Sequence, residues 1–440
     1  PIRATMTFMS RTISSDVLIV GAGPAGSAAA WYAAQAGYHV GVVDMANHLT
    51  TPRDKTCGDG LTPRAVAALS HMKAEGILEG RPDIRGLKLH GFGGSVTEPW
   101  PTTGGFPTRG SAIARTELDT ALLRHAVSAG AEFHGGMKII DATVDRGDRV
   151  SAVTGVDQAT GSELTFQFKY LLLAEGVRSG IARQLGVQWL RGLVHGVAAR
   201  SYIRTPHGDE PWIHSHLELR DENQVAQPGY GWVFPLGEGR ANLGCGALAT
   251  SKRPAGVNTK KLLRQYAEQL RNEWSIQGEP QQVTSALLPM GGAVTRVSGE
   301  NWAAIGDTAA LVNPLNGEGI DYALESARFV VDLLSDAPRN PDGLRYMWPA
   351  LLRHEYGEAF SLARRLAMGL TMPGLMSALG PVGMRGPQAH ALMAVAARLM
   401  GNLVTPQDRD LTSRVWRAAG MVSRSADKLL AQDARPLFGR

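Results

Sequence analysis

The sequence predicts an α/β chain whose parallel sheet is interrupted by a strand-rich α+β insert and followed by a helical tail. Three observations predict it. Asp16 to Val20 is an apolar, β-branched run followed at once by Gly21-x-Gly23-x-x-Gly26, an alanine-rich helix and a second buried run, His39 to Val43, that ends in Asp44. From Val194 to Ala249 the pattern turns strand-like, with aromatic residues at Trp212, Tyr230, Trp232 and Phe234. From Ala359 to Gln407 there is no Asp or Glu, while Arg364, Arg365, Arg385, Arg398 and six methionines occur.

The first observation carries the most chemistry. In Gly21-Ala-Gly23-Pro24-Ala25-Gly26 the first glycine permits a tight turn and the second lets a pyrophosphate approach the backbone. The third lets helix and strand pack closely, and the helix N-terminus attracts the phosphate charge. Little entropy opposes a helix over Ser27 to Ala36, and Gly37 stops it. Asp44 falls where a carboxylate takes the ribose hydroxyls of an adenosine half. Strand, helix, second strand and terminal acid together make a dinucleotide site, the Rossmann-like arrangement.

Length and composition bound the rest. A chain of 440 residues, 44% hydrophobic and 19% charged, buries a large core in two or three domains. No uninterrupted apolar run is long enough to span a bilayer, so any lipid contact is peripheral. The two cysteines, Cys57 and Cys245, are far apart, which argues against a metal site or a disulfide framework and for a reducing compartment, the cytoplasm. A net charge of +5 is too mild to imply nucleic acid, though it suits an anionic membrane surface. Pro1 to Ser14 reads as a flexible leader without the apolar middle of a secretory signal.

Along the chain, residues 15–85 and 113–190 read as the first two parts of the dinucleotide domain. Residues 86–112 supply strands to the insert, 191–290 form its bulk, 291–340 return to the first domain and 341–440 are the helical tail. The loop Met45 to Gly60 holds Lys55-Thr-Cys57-Gly-Asp-Gly60, where backbone lies open to close approach. Thr116 with Asp119 reads as a capping box starting a helix. Three short strands, Lys138 to Val144, Val150 to Val156 and Glu163 to Lys169, form a meander feeding a separate run, Tyr170 to Ala174. Asn301 to Asp307 is a strand ending in Gly306-Asp307, and Asn316-Gly317-Glu-Gly319-Ile320 opens a long helix to Leu334.

A ligand that touches both the first glycine loop and Gly306-Asp307 must be long, which favours FAD over NAD. An Asp at a strand end accepts hydrogen bonds from ribityl hydroxyls. The N–H groups at Gly317 to Ile320 can face the N1 and C2 carbonyl edge of a flavin, where a helix N-terminus favours the negative charge of the reduced ring.

The order of Gly21-x-Gly-x-x-Gly26, Arg115, Glu175-Gly176 and Gly306-Asp307 resembles the superfamily of FAD-dependent hydroxylases and geranylgeranyl reductases. Lys55-Thr-Cys-Gly-Asp-Gly-Leu-Thr-Pro-Arg64 resembles its reductase branch, as does Tyr230-x-Trp232-x-Phe234-Pro235 followed after eight residues by Gly244-x-Gly246. Leu287 to Val294 and Val312 to Tyr322 are similar to the actinobacterial members, which saturate one isoprene unit of a menaquinone tail. The resemblance covers Asp16 to Arg424. It implies an FAD-binding domain of the p-hydroxybenzoate hydroxylase type, an inserted substrate domain and a groove for a polyprenyl chain. It implies that Gly21, Gly23, Pro24, Ala25, Gly26, Asp44, Arg115, Gly306 and Asp307 hold FAD, with Gly317, Gly319 and Ile320 against the flavin. The family's Asp-Gly is Glu175-Gly176 here, which leaves that acid without an assigned contact.

The implied reaction is reduction of an isolated C=C by hydride from reduced flavin plus a proton. The alkene is unpolarised, so binding must do much of the positioning, each buried methylene contributing ~0.8 kcal/mol. Tyr230, Trp232 and Phe234 are the candidate substrate-binding residues, and Cys57, Tyr230 and Trp232 the candidate catalytic ones. The partners expected are a prenylated quinone or another polyprenyl lipid, an electron donor that is NAD(P)H or a redox protein, and the inner face of the cell membrane, met by the acid-free tail. Two rivals stand beside this reading. One is an aromatic monooxygenase on the same scaffold; flavin halogenases typically show Trp-x-Trp-x-Ile-Pro, unlike Tyr230-x-Trp-x-Phe-Pro. The other is a non-catalytic prenyl carrier, against which the intact glycine loop and Gly306-Asp307 argue.

Overall fold

The computed structural model describes residues 11–102, 105–145, 147–336, 343–372, 374–385, 388–405, 408–429 and 437–439. β-branched and leucine-rich runs pair into a first sheet whose strand order is Glu132–Gly135, Val40–Asp44, Arg11–Val20, Glu163–Leu173, Val150–Asp157, Met137–Val144. Trp302–Ala304 joins it alongside Glu163–Leu173. The strands around Arg11–Val20 are parallel, and the last two of the order are antiparallel. Parallel strands are buried on both faces, which is why Val17 to Val20 and Leu171 to Leu173 lack polar alternation and are all buried. The helices Pro24–Gln35, Arg115–Ser128 and Ile320–Asp336 pack on one another and on this sheet.

Three local expectations change. Arg11 to Ser14 are strand, paired with Leu164 to Gln167, so the expected leader is at most the first ten residues, and these lie outside the described ones. Glu163–Leu173 is one unbroken strand of 11 residues with no joint at Lys169-Tyr170. The two differences have one cause: the long strand offers a continuous parallel edge, and Thr12 and Ile13 suit it. Finally, the helix Arg115–Ser128 has Ala114 as its N-cap and no side-chain cap. Asp119 pairs instead with Arg115 one turn back, which a charge pair at this spacing favours over a neutral cap.

The second sheet runs Gln277–Leu288, His195–Arg204, Arg240–Ala249, Gly229–Gly237, Trp212–His216, Gly86–Gly91, Gly94–Pro99. It is antiparallel except where Trp212–His216 meets Gly86–Gly91. One face is covered by the helix Thr259–Gln269, whose Leu262, Leu263 and Tyr266 bury against Ala199, Leu243 and Cys245. The other face receives the loop Asp54 to Gly60, whose end pairs with Ser111–Ala112 as a two-stranded ribbon.

The tail helices are Gly343–Leu370, Leu375–Arg385, Ala389–Met400 and Leu411–Leu429. They tie the two sheets together. Trp348, Tyr356 and Phe360 enter the core of the first sheet, while Met384, Ala389, Ala397 and Leu403 join Ile84, Leu87 and Leu89 of the second. No helix among the described residues is long and apolar enough to cross a membrane.

Candidate active site

The glycine loop begins where the strand Arg11–Val20 stops. A Cβ on Gly21 would meet the carbonyl of Ala174, and one on Gly26 the carbonyl of Gly21, so these two positions let strand, turn and helix touch through bare backbone. Gly23 differs: its side opens toward Arg115 and Asp119, with nothing nearer than 3.9 Å. Gly23 is also the N-cap of the helix Pro24–Gln35, and no side chain caps it. Asp44 sits at the end of its strand, where its carboxylate accepts the N–H groups of Ala22 and Ala46, both at 2.8 Å. Burial would raise that carboxyl, but His48 and the two N–H groups outweigh it and hold the pKa below the usual range. Arg115 forks onto Asp119 with two bonds of 2.7 Å in a buried pair.

Gly306-Asp307 arrives from far along the chain. Gly306 takes a left-handed φ of 57° and packs so closely that a Cβ would lie 2.9 Å from Ala25, which joins the two glycine signatures in space. Asp307 accepts a 3.0 Å bond from Lys55, and its other oxygen faces Gly319. Ile320 starts the helix Ile320–Asp336, with Gly317 left open between Leu288 and Met290, each 3.8 Å from its ideal Cβ.

Across from these loops, the inward face of the second sheet explains the aromatic pattern. Strand register places Trp232 opposite Gly244 and Tyr230 opposite Gly246. The Trp232 indole lies over Gly244, where any side chain would collide with it, and its Nε1 donates to Asn242 Oδ1 at 2.9 Å. Phe234 packs against Gly58 and Gly60, whose missing side chains make its space. The Tyr230 hydroxyl donates to the Asn316 carbonyl. The three aromatic side chains thus form a file, Trp232 being 5.9 Å from Tyr230 and 6.2 Å from Phe234, that runs from the Cys57 loop to the start of the helix Ile320–Asp336.

The Cys57 loop is clamped along its length. Arg200, fully buried, donates to the Lys55 carbonyl at 3.0 Å and pairs with Asp54. Thr56 bonds Thr284, and Asn242 Nδ2 bonds both the Cys57 carbonyl and Asp59 Oδ2, each at 2.8 Å. Burial raises the Cys57 thiol pKa, with Arg115 opposing and Asp59 adding to the rise.

A second polar network lies behind the helix Ile320–Asp336. Arg64 holds Glu325 with two bonds of 2.8 Å and donates to the Asn402 carbonyl at 3.1 Å. Asn402 Nδ2 reaches Asp321 Oδ2 at 2.8 Å, and its oxygen accepts from Asn313. Thr62 donates to Glu318 at 3.0 Å. Burial pushes Asp321 up to about 6 and raises Glu318 further, each carboxyl also feeling a neighbouring acid.

Sequence reasoning passed over Asp59, Arg64, Arg200, Asn242 and Asn402. An acid between two glycines at 58–60 was a visible signal. Asn402 carried none, since only the fold brings the tail to Asn313. Glu175 now has a role: its carboxylate accepts the N–H groups of Gly180, Ile181 and Ala182 at 2.8 to 3.1 Å and so caps the short helix Gly180–Gln184. A cavity of about 710 Å³ opens between this helix and the second sheet, lined in part by Arg178, Arg183, Trp189, Arg191 and Leu287 but not by the aromatic file.

The FAD binding domain family model matches residues 14–339. The chain belongs to this family of flavoproteins. It is an FAD-dependent oxidoreductase of the geranylgeranyl reductase type. It is 49% identical to the menaquinone reductase of Mycobacterium tuberculosis, over 96% of this chain and 99% of that one. It is 50% identical to the menaquinone reductase of Mycolicibacterium smegmatis, over 94% and 98%. The solved structure of a geranylgeranyl bacteriochlorophyll reductase-like protein from Thermoplasma acidophilum shares the fold with a TM-score of 0.71 at 19% identity, over 96% of this chain and all of that one. The fold of this flavoprotein is the Rossmann-like FAD-binding type of p-hydroxybenzoate hydroxylase with its inserted domain and helical tail. The residues present suit its cofactor: an uncapped helix start beside an open Gly23 fits a diphosphate, and a second glycine-rich helix start with an open face at Gly317 fits a planar ring.

Proposed function

We propose that this flavoprotein reduces one isolated C=C of a polyprenyl chain, an isoprene unit of menaquinone. The observation that carries the reading is the aromatic file Tyr230, Trp232, Phe234, stretched between the Cys57 loop and the glycine-rich start of Ile320–Asp336. Near-complete coverage of the mycobacterial menaquinone reductases supports it. Bound FAD supplies the hydride. The chain's own residues do the rest: Gly21, Gly23, Pro24, Ala25, Gly26, Asp44, Arg115, Gly306 and Asp307 seat the cofactor, and Gly317, Gly319 and Ile320 face its ring. Tyr230 and Trp232 orient an apolar chain, which Leu288 and Met290 beside Gly317 extend with apolar surface. Phe234 acts from beneath the Cys57 loop, holding it against the sheet. Anaerobic incubation of the dithionite-reduced protein with menaquinone, followed by mass analysis, tests the reading. Expected is a gain of two hydrogens, and unchanged menaquinone with fully reduced protein refutes it.

Cys57, in the loop at one end of the aromatic file, is the proposed proton-bearing group. It is part-buried, with a thiol that burial keeps protonated at neutral pH, so it can donate to an alkene carbon but gains little as a nucleophile. Cys57→Ala is expected to slow single-turnover alkene reduction by about 10²-fold or more while FAD stays bound. Equal rates in the two proteins would remove Cys57 from the reaction.

The substrate's tail lies in membrane, and the helical tail is the proposed contact with the inner face. Twelve of the seventeen exposed large apolar side chains among the described residues lie beyond residue 340, including Leu379, Val382, Leu411 and Val422. Arg385 sits in the last turn of the same helix as Leu379 and Val382. Leu379→Glu with Val382→Glu is expected to abolish sedimentation with vesicles of anionic phospholipid while leaving the flavin content intact. Full sedimentation of the double variant would place the contact elsewhere.

A further inference from the structure

Asp59 is a buried acid that the reading above does not use. It stands two residues beyond Cys57 in a left-handed conformation, φ 65°, and is completely buried. Its N–H points to Cys57 Sγ at 3.4 Å, and its carbonyl accepts the N–H of Ile113. A carboxyl with no access to water normally finds a cation. Asp59 finds none directly. The nearby guanidiniums are committed elsewhere, Arg115 to Asp119 and Arg200 to Asp54.

What Asp59 has instead is neutral. Oδ2 accepts from Asn242 Nδ2, the same amide that binds the Cys57 carbonyl, and Asn242 is in turn fixed by Trp232. Oδ1 is buried with no hydrogen-bond partner among the described residues, and so is the hydroxyl of Tyr202. The two groups interact, and the Tyr202 ring lies 4.4 Å beneath the Arg200 guanidinium. A fully buried carboxyl with no cation paired to it suits a carboxylic acid better than a carboxylate, against the pull of the Asn242 amide and the Tyr202 hydroxyl.

We propose that Asp59 sets the acidity of the Cys57 thiol, a positioning residue that acts through Cys57. The inference rests on the reading of the protein as an alkene reductase. As hydride adds to one alkene carbon, the Cys57 S–H bond breaks and its proton forms the new C–H bond at the other. Donation comes first, while Asp59 is neutral, and the thiolate left behind faces Arg115. Solvent, which reaches the part-buried Cys57 but not Asp59, then returns a proton to the thiolate. The balance is one hydride from the reduced flavin and one proton from water. Asn242 holds Cys57 and Asp59 in register, and Trp232 fixes Asn242.

The environment supports this order. Burial pushes the Asp59 carboxyl up to about 6 against the pull of Asn242, Tyr202, Arg200 and Arg115, while the charge of Asp59 itself raises the Cys57 thiol. A protonated Asp59 therefore makes Cys57 a stronger acid, and an ionised one makes its thiolate the better base.

The test uses the oxidised holoenzyme and its Asp59→Asn and Asp59→Glu variants, in two readouts. In the first, iodoacetamide alkylation of Cys57 is followed against pH without substrate. Asp59→Asn removes a negative charge, so the thiol pKa falls and alkylation at neutral pH becomes several-fold faster, whereas Asp59→Glu restores the parent profile. In the second, multiple-turnover reduction of menaquinone is followed against pH. The parent loses rate as pH rises through about 6, and Asp59→Asn keeps the low-pH rate to neutral pH and lacks the bend. An alkylation profile unchanged in Asp59→Asn overturns the proposal, whatever the turnover result. Altered alkylation with no reduction of menaquinone by the parent keeps the coupled pair and refutes the alkene-reductase reading instead. Should Asp59→Asn lose its flavin, a titrating carboxyl band in the infrared spectrum of the parent protein decides: its absence near pH 6 overturns the proposal.

Discussion

Replacing Gly26 with alanine is expected to yield a protein that retains no FAD through gel filtration and is much less stable than the parent. The added Cβ would fall on the carbonyl of Gly21, and the Ala174 side chain, 3.2 Å away, blocks the other escape. Backbone cannot rotate aside as a side chain can. The helix Pro24–Gln35 must therefore lift off the turn, and with it Ala25, against which Gly306 is packed. The cost exceeds the ~1–3 kcal/mol typical of overpacking a core with methylenes, because the intruded atom is main chain. Gly23→Ala separates fold from ligand. Its Cβ meets nothing closer than 3.9 Å, so the apoprotein should unfold at nearly the parent temperature. Yet that Cβ stands at the uncapped helix start proposed to meet the diphosphate, and FAD affinity should fall by roughly ten- to a hundredfold, or about 1.4–2.8 kcal/mol. Flavin absorbance after dialysis and thermal unfolding of the apoproteins measure the two effects. Equal stability of Gly26→Ala and Gly23→Ala would mean that the turn tolerates bulk and that the packing described here is not what holds it.

These two glycines show how much of the site the sequence makes legible. Gly21, Gly23 and Gly26 announce a strand, a turn and a helix because each solves a local problem, and local problems leave local patterns. The same holds for Gly244 and Gly246, whose spacing from Tyr230 and Trp232 reports cross-strand register. Long-range polar partners leave no such trace. Asn242 lies within the interval between Pro235 and Gly244 that reads as spacer, yet it bridges Cys57, Asp59 and Trp232. Asn402 is one polar residue among many near the end of a helix. The Thr116–Asp119 spacing misleads for a related reason: a cap and an ion pair can share the five residues Arg115 to Asp119, and only burial of Arg115 beside Asp119 decides between them.

Arg64→Ala is expected to lower stability by about 3–5 kcal/mol, the range for removing one partner of a buried ion pair. The pair with Glu325 is about one-sixth exposed on each side and bidentate, so solvent screens little of it. Alanine would leave the Glu325 carboxylate with the Tyr356 hydroxyl but no cation, would take the donor from the Asn402 carbonyl, and would empty the stack on Tyr322, whose ring lies 5.2 Å from the guanidinium. The sign of the pH dependence follows from Asp321. Its folded pKa of about 6 lies above the value near 3.8 of the unfolded chain, so the folded state binds more protons between them and stability falls as pH rises through that window. Arg64 opposes that rise, so in the alanine variant the window widens upward and the deficit grows from mildly acidic to mildly alkaline solution. Arg64→Lys keeps the charge without the fork and should recover part of the loss. The consequence for catalysis is specific. Asp321 and Asn402 tie the helix that begins at Ile320 to the tail, and Glu318 stands between the two glycines proposed to face the flavin. Loosening them should therefore weaken FAD binding and release the tail together, so that limited proteolysis in the stretch between Asn402 and Asp408 accelerates in step with flavin loss. Flavin loss without faster proteolysis would show that the tail holds on through its apolar contacts alone, and that the Arg64 network serves only the cofactor side.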